Sequence, residues 1–349
     1  MRRRLFFPVL LTPLISAQEP STTAAAKQEP GSQPAAEGPV TDIRVSVNEV
    51  IVPITVTDEQ DRFVSNLEQD DFEIFEEGRK QKIAYFSRDR AQPVVIGFLL
   101  DVSNATRVHW KVFQEAAIDL IDTLIPGDPK YSGYLISYAT DAELQANTSH
   151  DPERMMQKIR KIKPGGGAAL YDAIYMACTS RDLVKGEPIE PRRIIVVIGD
   201  GHDTASKKTR DEVLELAQRN LVTIYGISTK AFGFNNEGET NLLKLAADTG
   251  GRVETPLNKL YKDVSGYLST PSDEGNYALK VGTGGYASEI AKGIFDSIKQ
   301  VSGEITTQYI LRYTPDTNDS GKVFRNIEVR VNLANVKVRA RKGYFPYNP

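Results

Sequence analysis

The chain has 349 residues, of which 40% are apolar and 26% are charged, and its 43 basic and 46 acidic residues give a formal net charge of −3. This is the composition of an ordinary globular protein. The near balance of charge argues against general nucleic-acid binding, which needs a basic face to neutralise phosphates. The single cysteine, Cys178, excludes an internal disulfide and any cysteine-rich zinc site.

Residues 1–17 have the layout of a secretory signal peptide. Three arginines follow Met1, an apolar run extends from Leu5 to Ile15, and Ala17 offers a small residue for cleavage. The apolar run is too short to span a bilayer as a helix. We therefore expect export to the periplasm, the cell surface or the medium, with no transmembrane segment in the mature form. A short N-terminal membrane anchor is the alternative.

Residues 18–41 are rich in Gln, Glu, Pro, Ser, Thr, Ala and Gly and contain almost no large apolar side chains. Such a stretch cannot bury enough apolar surface to offset the entropy lost on folding. We interpret it as a disordered linker between the export signal and the folded part of the chain.

A period of two predicts β-strands in residues 42–92. Apolar side chains recur at every second position over Val50–Val56. Two further short strands, Phe72–Phe75 and Ile83–Phe86, flank Glu77-Gly78, a pair that is typical of a hairpin turn. This segment is therefore predicted to be β structure of moderate length.

Strands and helices alternate between residues 93 and 303. The continuous apolar run Val94–Leu100 is expected for a strand covered on both faces. A helix with one apolar side follows over Val112–Leu124, and a later strand is expected at Ile194–Ile198. This alternation predicts an α/β fold with a doubly wound, mainly parallel sheet and helices on both faces. Residues 255–285 are rich in Gly, Ser, Thr and Pro, and we expect an irregular insertion there.

The period of two returns in residues 304–349, where Ile327, Val329 and Val331 alternate with polar or charged residues. Neither terminal β segment has enough strands to bury a core alone. The economical solution is that both segments form one small β-sandwich, with the α/β domain inserted between them. Basic residues that alternate near the C-terminus predict a solvated strand face; they are Lys337, Arg339, Arg341 and Lys342.

Polar loops follow the apolar strands of the predicted sheet, at the edge where open parallel sheets bind ligands. The loops are 101–106, 164–172 and 199–204, and we expect them to converge. Their polar side chains include Asp101, Ser103, Asn104, Thr106, Asp200, His202 and Asp203. Hard oxygen atoms of this kind suit a hydrated divalent cation, Mg²⁺ above all.

The order of these motifs resembles the von Willebrand factor type A domain. The stretches GGGAALYDAI at 165–174 and VVIGDGHDT at 196–204 are close to that family's motifs. The outer β segments resemble those of exported bacterial proteins with the Acidobacteria-type von Willebrand factor A-related domain, so the resemblance covers roughly residues 42–347. It implies a Rossmann-like α/β domain, a metal-ion-dependent adhesion site and a role in protein binding.

The resemblance implies direct metal ligands from two serines and a threonine, with two aspartates acting through water. Asp101, Ser103 and Asp200 match this pattern, whereas Ala105 and Ala168 stand where the second serine and the threonine would be. Because methyl groups cannot coordinate a metal, we expect a degenerate site with weak affinity for Mg²⁺. A vestigial site, in which both aspartates accept hydrogen bonds from backbone amides, is the alternative.

Loop residues at the same predicted edge are candidates for contact with a partner: Asn104, Thr106, His202, Asp203, Phe232, Phe234 and Asn235. A catalytic set is not apparent, since Ser103 does not lie in a Gly-x-Ser-x-Gly elbow. We therefore expect an exported, non-enzymatic protein-binding or adhesion module with an unidentified protein partner. A structural component of a cell-envelope assembly is one alternative. A metal-assisted hydrolase using Asp101 and Asp200 is another.

Overall fold

A computed structural model describes the folded part of the chain, with gaps. The described residues are 49–88, 93–180, 183, 191–229, 237–256, 283–315 and 323–346. The predicted signal peptide, the predicted linker and most of the predicted insertion at 255–285 lie outside them. Across the described ranges, no helix has both the length and the apolar character needed to cross a membrane.

The first strands of the described chain form β structure, as the period of two predicts. They are β1 (Val50–Asp58), β2 (Phe72–Glu76), β3 (Arg79–Gln81) and β4 (Ile83–Ser87). β2 and β3 pair in an antiparallel hairpin whose turn residues, Glu77 and Gly78, have φ values of 48° and 75°. Positive φ at both turn residues matches the twist of a two-residue hairpin, so the predicted turn is present. The predicted second strand was wrong, because β3 pairs with β2 and Ile83–Phe86 belongs to β4, which pairs with a C-terminal strand in the other sheet.

Strands and helices alternate through the middle of the chain. They are β5 (Val94–Asp101), α1 (Trp110–Leu124), β6 (Tyr131–Tyr138), β7 (Ala142–Ser149), α2 (Glu153–Ile159), α3 (Leu170–Thr179), β8 (Arg192–Ile198), α4 (Arg210–Arg219), β9 (Thr223–Ile227), α5 (Glu237–Thr249), β10 (Val253–Glu254) and α6 (Thr283–Thr307). The six strands form one sheet in the order β10-β9-β8-β5-β6-β7. Only β7 runs antiparallel to its neighbour among these six strands.

Helices cover both faces of this sheet, and alternate residues of β5 enter the two apolar layers. Phe98 packs with residues of α1, α2 and α6, whereas Leu99 packs with residues of α3, α4 and α5. Both side chains are fully buried. The continuous apolar run of β5 is therefore that of a central strand with two covered faces, and the predicted α/β fold class is confirmed.

The two ends of the described chain meet in a β-sandwich. The C-terminal strands are β11 (Tyr309–Tyr313), β12 (Arg325–Val331), β13 (Val336–Ala340) and β14 (Gly343–Tyr344). They join the N-terminal strands in two antiparallel sheets, β13-β1-β11-β4 and β14-β12-β2-β3. Ile54 and Ile74 share one apolar core with Leu311 and Ile327. The predicted sandwich of both terminal segments is confirmed.

The sandwich packs against the α/β domain through the second face of β1. All residues from Val50 to Thr57 are buried, so β1 is covered on both faces. Gln308, which follows α6, donates hydrogen bonds to Thr55 Oγ1 at 3.2 Å and to Tyr225 Oη of β9 at 2.9 Å. Arg341, which the alternation of basic residues places on a solvated face, is also buried here. That prediction was wrong for Arg341 because the α/β domain covers this part of the sandwich.

Candidate functional site

The sheet topology places Asp101 and Asp200 side by side. β5 and β8 are parallel neighbours whose last paired residues are Leu100 and Ile198. Asp101 ends β5, and Asp200 stands two residues after the end of β8. The backbone between them is closely packed, since a Cβ at Gly199 would lie 2.9 Å from the Cβ of Asp101. A side chain at position 199 would therefore force the two strand ends apart.

Backbone hydrogen bonds bring the three polar loops together. The amide of Asn104 donates to Gly166 O at 3.1 Å, and the amide of Gly165 donates to Val102 O at 2.7 Å. The third loop joins through a reciprocal pair, in which Ala168 N donates to Thr204 Oγ1 at 2.9 Å and Thr204 N donates to Ala168 O at 2.8 Å. The loops that follow β5, α2 and β8 thus form one surface at the carboxyl edge of the sheet.

Asp101 is the most deeply buried carboxylate of this surface. Its residue is 1% exposed, and its Oδ1 accepts the Ser103 amide at 2.8 Å. Its Oδ2 is buried and forms no well-aligned hydrogen bond among the described residues. Burial raises the pKa of Asp101 from 3.8 to about 6, the amide and hydroxyl of Ser103 and the amide of Asp200 oppose this rise, and the charge of Asp200 adds to it.

Two other buried oxygens close to Asp101 form no well-aligned hydrogen bond within the described part of the chain. They are Ser103 Oγ and Tyr138 Oη. Tyr138 ends β6 directly beside Asp101, and burial together with the nearby aspartates raises its pKa well above 10.0. Because buried polar atoms are nearly always hydrogen-bonded, three such oxygens in one place indicate an unmet demand for a hydrogen-bond donor or a cation.

Sequence reasoning missed Tyr138. A usable signal existed, since the residue is the last of a strand that neighbours β5 in the predicted parallel sheet. Its apolar ring made it part of an ordinary strand pattern, and the position of its hydroxyl depends on the packing of β6 against Gly199.

Asp200 is held by His202. Its Oδ1 accepts the His202 amide at 2.9 Å, and its Oδ2 lies 2.8 Å from His202 Nδ1. With the carboxylate as acceptor, the Nδ1–H of the imidazole is the donor in this second bond. Both oxygens of Asp200 are thus in use, and the side chain of His202 is 40% exposed at the rim of the site.

Two of the other candidate oxygens have structural tasks. Asp203 Oδ2 accepts the amide of Tyr171 at 2.9 Å and the hydroxyl of Ser206 at 2.6 Å, so it orders the start of α3. Thr106 is buried, and its hydroxyl donates to Ser103 O at 3.0 Å. Contrary to the sequence-based expectation, Thr106 is therefore not placed to contact a partner. Neither oxygen replaces the missing ligands.

The two alanines at the positions where the resemblance implies ligands differ in environment. Ala105 is exposed in a 3₁₀ helix, Asn104–His109, that precedes α1. Ala168 is buried against the loop that carries Thr204. Asn104 is exposed. Three further candidates, Phe232, Phe234 and Asn235, lie outside the described residues.

The residues of this site fit a cation that keeps most of its water. Asp101 Oδ2 and Ser103 Oγ form no well-aligned hydrogen bond among the described residues, and Tyr138 Oη is near. Mg²⁺ is commonly bound through one or two carboxylates while several waters remain. The site does not offer a full protein shell, because two positions are methyl groups. Within the described ranges, no group of three or more His, Cys, Asp or Glu side chains could hold a metal ion.

Residues 96–259 match the family model of the von Willebrand factor type A domain. These residues form a von Willebrand factor type A domain. The match spans the sheet from β5 to β10 and includes all three loops of the site. The family expected from the Asp-x-Ser, GGGAALYDAI and VVIGDGHDT motifs is therefore confirmed for the α/β part of the chain.

Three solved structures with partial likeness to this chain are the following. An aerotolerance-related membrane protein from Bacteroides fragilis is 20% identical, with 50% of this chain and 98% of that chain covered and a TM-score of 0.38. The von Willebrand factor domain of a type V pilus tip protein from Porphyromonas gingivalis is 18% identical. The match covers 32% of this chain and 39% of that chain, with a TM-score of 0.29. Proximal thread matrix protein 1 from the mussel byssus, with zinc in its metal motif, is 18% identical. The match covers 52% of this chain and 46% of that chain, with a TM-score of 0.40. A search of curated proteins gave no match. The family model, rather than these partial likenesses, identifies the domain.

Proposed function

We propose that the chain is an exported, non-enzymatic protein-binding or adhesion module. Its partner would contact the von Willebrand factor A domain at the loop edge around Asp101. The observation that carries this proposal is a set of three buried oxygens, Asp101 Oδ2, Ser103 Oγ and Tyr138 Oη, that form no well-aligned hydrogen bond among the described residues and lie beside the converging loops. A buried carboxylate whose hydrogen-bonding capacity is only partly used is costly, and a cation or a donor group from a partner would relieve that cost.

The residues of the site would have different roles in binding. Asp101 supplies the negative charge, Ser103 supplies a neutral oxygen, and the bonds from His202 keep Asp200 and its loop in place. When bound here, Mg²⁺ would supply a positive charge that attracts a carboxylate of the partner. Mg²⁺ dehydrates reluctantly, and Ala105 and Ala168 offer no oxygen, so we expect weak affinity before the partner arrives.

Exposed residues at the rim would form the contact surface. Asn104 and Thr204 are exposed, and His202 is partly exposed beside Asp200. These three side chains come from two different loops that hydrogen bonds tie to the Gly165–Gly167 turn region. A surface built on rigid loops suits recognition, because little conformational entropy is lost when a partner binds.

Affinity capture from an envelope extract tests the proposal. The mature protein is used in Mg²⁺ and in chelator, beside Asp101→Asn and the matched control Asp122→Asn, whose side chain is exposed on α1. We expect the same protein to be captured by the wild type and Asp122→Asn, and to be lost with Asp101→Asn. Capture that Asp101→Asn leaves unchanged would contradict binding at this edge.

A serine-based hydrolase is not supported by the geometry of the described residues. Such an enzyme needs a hydrogen bond between the nucleophile and its base. The hydroxyl of Ser103 interacts with the Asp101 carboxylate, while His202 Nδ1 is bonded to Asp200. A screen of hydrolase substrates with and without Mg²⁺ checks this directly, and turnover that Asp101→Asn abolishes would favour the hydrolase instead.

A further inference from the structure

A small cavity lies where the sandwich meets the opposite edge of the α/β sheet from Asp101. It has a volume of about 20 Å³. Its lining includes Ile51 and Pro53 of β1, Leu221 and Thr223 at the start of β9, and Arg341, which follows β13. The first two residues of β8, Arg192 and Arg193, also line it. The cavity is therefore shared by both parts of the fold.

The three arginines around this cavity lack acidic partners in the described part of the chain. Ion pairs are present for many other arginines, but Arg192, Arg193 and Arg341 form none there. Arg192 donates to Ile305 O at 3.2 Å and to Gln308 Oε1, both of which are neutral acceptors. Within the described ranges, no carboxylate compensates the charges at the junction.

Arg341 is the most constrained of the three. Its residue is 2% exposed, and its Nη2 donates to Leu221 O at 3.0 Å. Leu221 has a φ of 54°, a left-handed conformation that is uncommon for leucine. Burial lowers the pKa of Arg341 to about 10, so the guanidinium still carries its charge at neutral pH.

The Nε–H groups of all three arginines are buried without a hydrogen-bond partner among the described residues. Buried N–H groups are normally satisfied, and a buried charge is normally paired. A cavity of at least roughly 10–15 Å³ can hold one water-sized particle. The three Nε–H groups therefore need a hydrogen-bond acceptor, and the cavity has room for one small acceptor.

We infer that this cavity is a binding site for a monatomic anion, chloride in most solutions. The anion would accept a hydrogen bond from Arg341, while Arg192 and Arg193, on opposite faces of β8, add positive charge nearby. A bound anion would supply the missing negative charge and tie the sandwich to the α/β domain.

Thermal unfolding in sodium chloride and in sodium gluconate of equal ionic strength tests the site. Because the ionic strength is the same in both salts, ionic strength alone cannot produce a difference in Tm. At a tenfold excess of chloride over its Kd, we expect Tm to rise by roughly 2 °C. Equal Tm values in the two salts would overturn the inference.

Two variants separate the site from general salt effects. Arg341→Met should lose the chloride response, and it should be at least as stable as the wild type in gluconate because an uncompensated buried charge is gone. Arg330→Met is the matched control, since Arg330 is an exposed arginine paired with Glu328, and it should keep the response. An unchanged chloride response in Arg341→Met would refute the assignment.

Anomalous diffraction from wild-type crystals grown in bromide gives a direct readout that does not depend on any variant folding. We expect a bromide peak in the cavity beside Arg341 Nε. An ordered water there without a bromide signal would show that the cavity only hydrates the arginine, and the inference would fail.

Discussion

Glu76 joins the N-terminal and C-terminal halves of the sandwich. Its carboxylate, on β2, accepts hydrogen bonds from Tyr313 Oη at 2.6 Å and Tyr344 Oη at 3.1 Å, and Arg325 Nη1 lies 2.8 Å from its other oxygen. The side chains of Glu76 and Arg325 are 5% and 8% exposed, so the ion pair is removed from water. The three partners all come from the C-terminal segment, which makes Glu76 a test of the inserted-domain topology.

We expect Glu76→Ala to lower the free energy of unfolding by about 3–5 kcal/mol, the usual cost of removing one partner of a buried ion pair. Burial alone would lower the pKa of Arg325, but Glu76 and Tyr344 together raise it above its usual value. These two partners therefore more than offset the desolvation of the guanidinium. Glu76→Gln should lose less, because it keeps an acceptor for Arg325 without the charge.

Urea unfolding followed by circular dichroism measures these losses. Glu73→Ala on the same strand is the matched control, because Glu73 forms an exposed ion pair with Lys80. Exposed pairs of this kind contribute about 0–1 kcal/mol. If the loss for Glu76→Ala lay within about 0.5 kcal/mol of the loss for Glu73→Ala, the spread of an ordinary surface substitution, the reasoning on the buried pair would be refuted.

Three further predictions concern the loop edge. In chelator, the native pKa of Asp101 near 6 exceeds its unfolded value of 3.8. The free energy of unfolding of the wild type should therefore rise by up to about 3 kcal/mol relative to Asp101→Asn as pH falls from 7.5 to 3.5. A difference between the two proteins that does not change with pH in urea unfolding would contradict this. Calorimetry should show Mg²⁺ binding that is on the order of millimolar or weaker in the wild type and tighter in the Ala105→Ser, Ala168→Thr double variant, whereas micromolar wild-type binding would mean that another oxygen coordinates. Tyr138→Phe, which removes an unpartnered buried hydroxyl, should be neutral or stabilising by up to about 1–3 kcal/mol in chelator, and a clear loss in urea unfolding would count against it.

The fold could be predicted from the sequence because its strongest signals are local. The apolar run of β5 and the single apolar side of α1 indicate their own burial, and parallel topology follows from their alternation. β7 was not predicted, since its residues Ala142–Ser149 are mostly polar and half-exposed at the sheet edge. An antiparallel edge strand with one neighbour needs few apolar side chains, so its pattern is that of a loop.

The site could be predicted only to the level of the residues that end the strands. Asp101 and Asp200 follow from topology, because adjacent parallel strands end at the same edge. The partners of the remaining oxygens do not follow from it. Asp203 bonds the amide of Tyr171, 32 residues earlier, and Thr204 bonds the amide of Ala168, 36 residues earlier. Such choices depend on how two loops pack, and that packing leaves no periodic mark on the sequence.

Arg341 shows why a period-two pattern of basic residues does not establish that their side chains are exposed to solvent. Lys337 of the same basic series is 60% exposed and pairs with Asp61, as a solvated face predicts. Arg341 comes one residue after β13 ends, where Gly250 and the backbone of Leu221 lie against it. A period of two indicates which side chains share a face but not what covers that face. The α/β domain covers it here, so an arginine with a solvated pattern becomes a buried charge, and the need for a counter-charge arises only when the two parts of the fold meet.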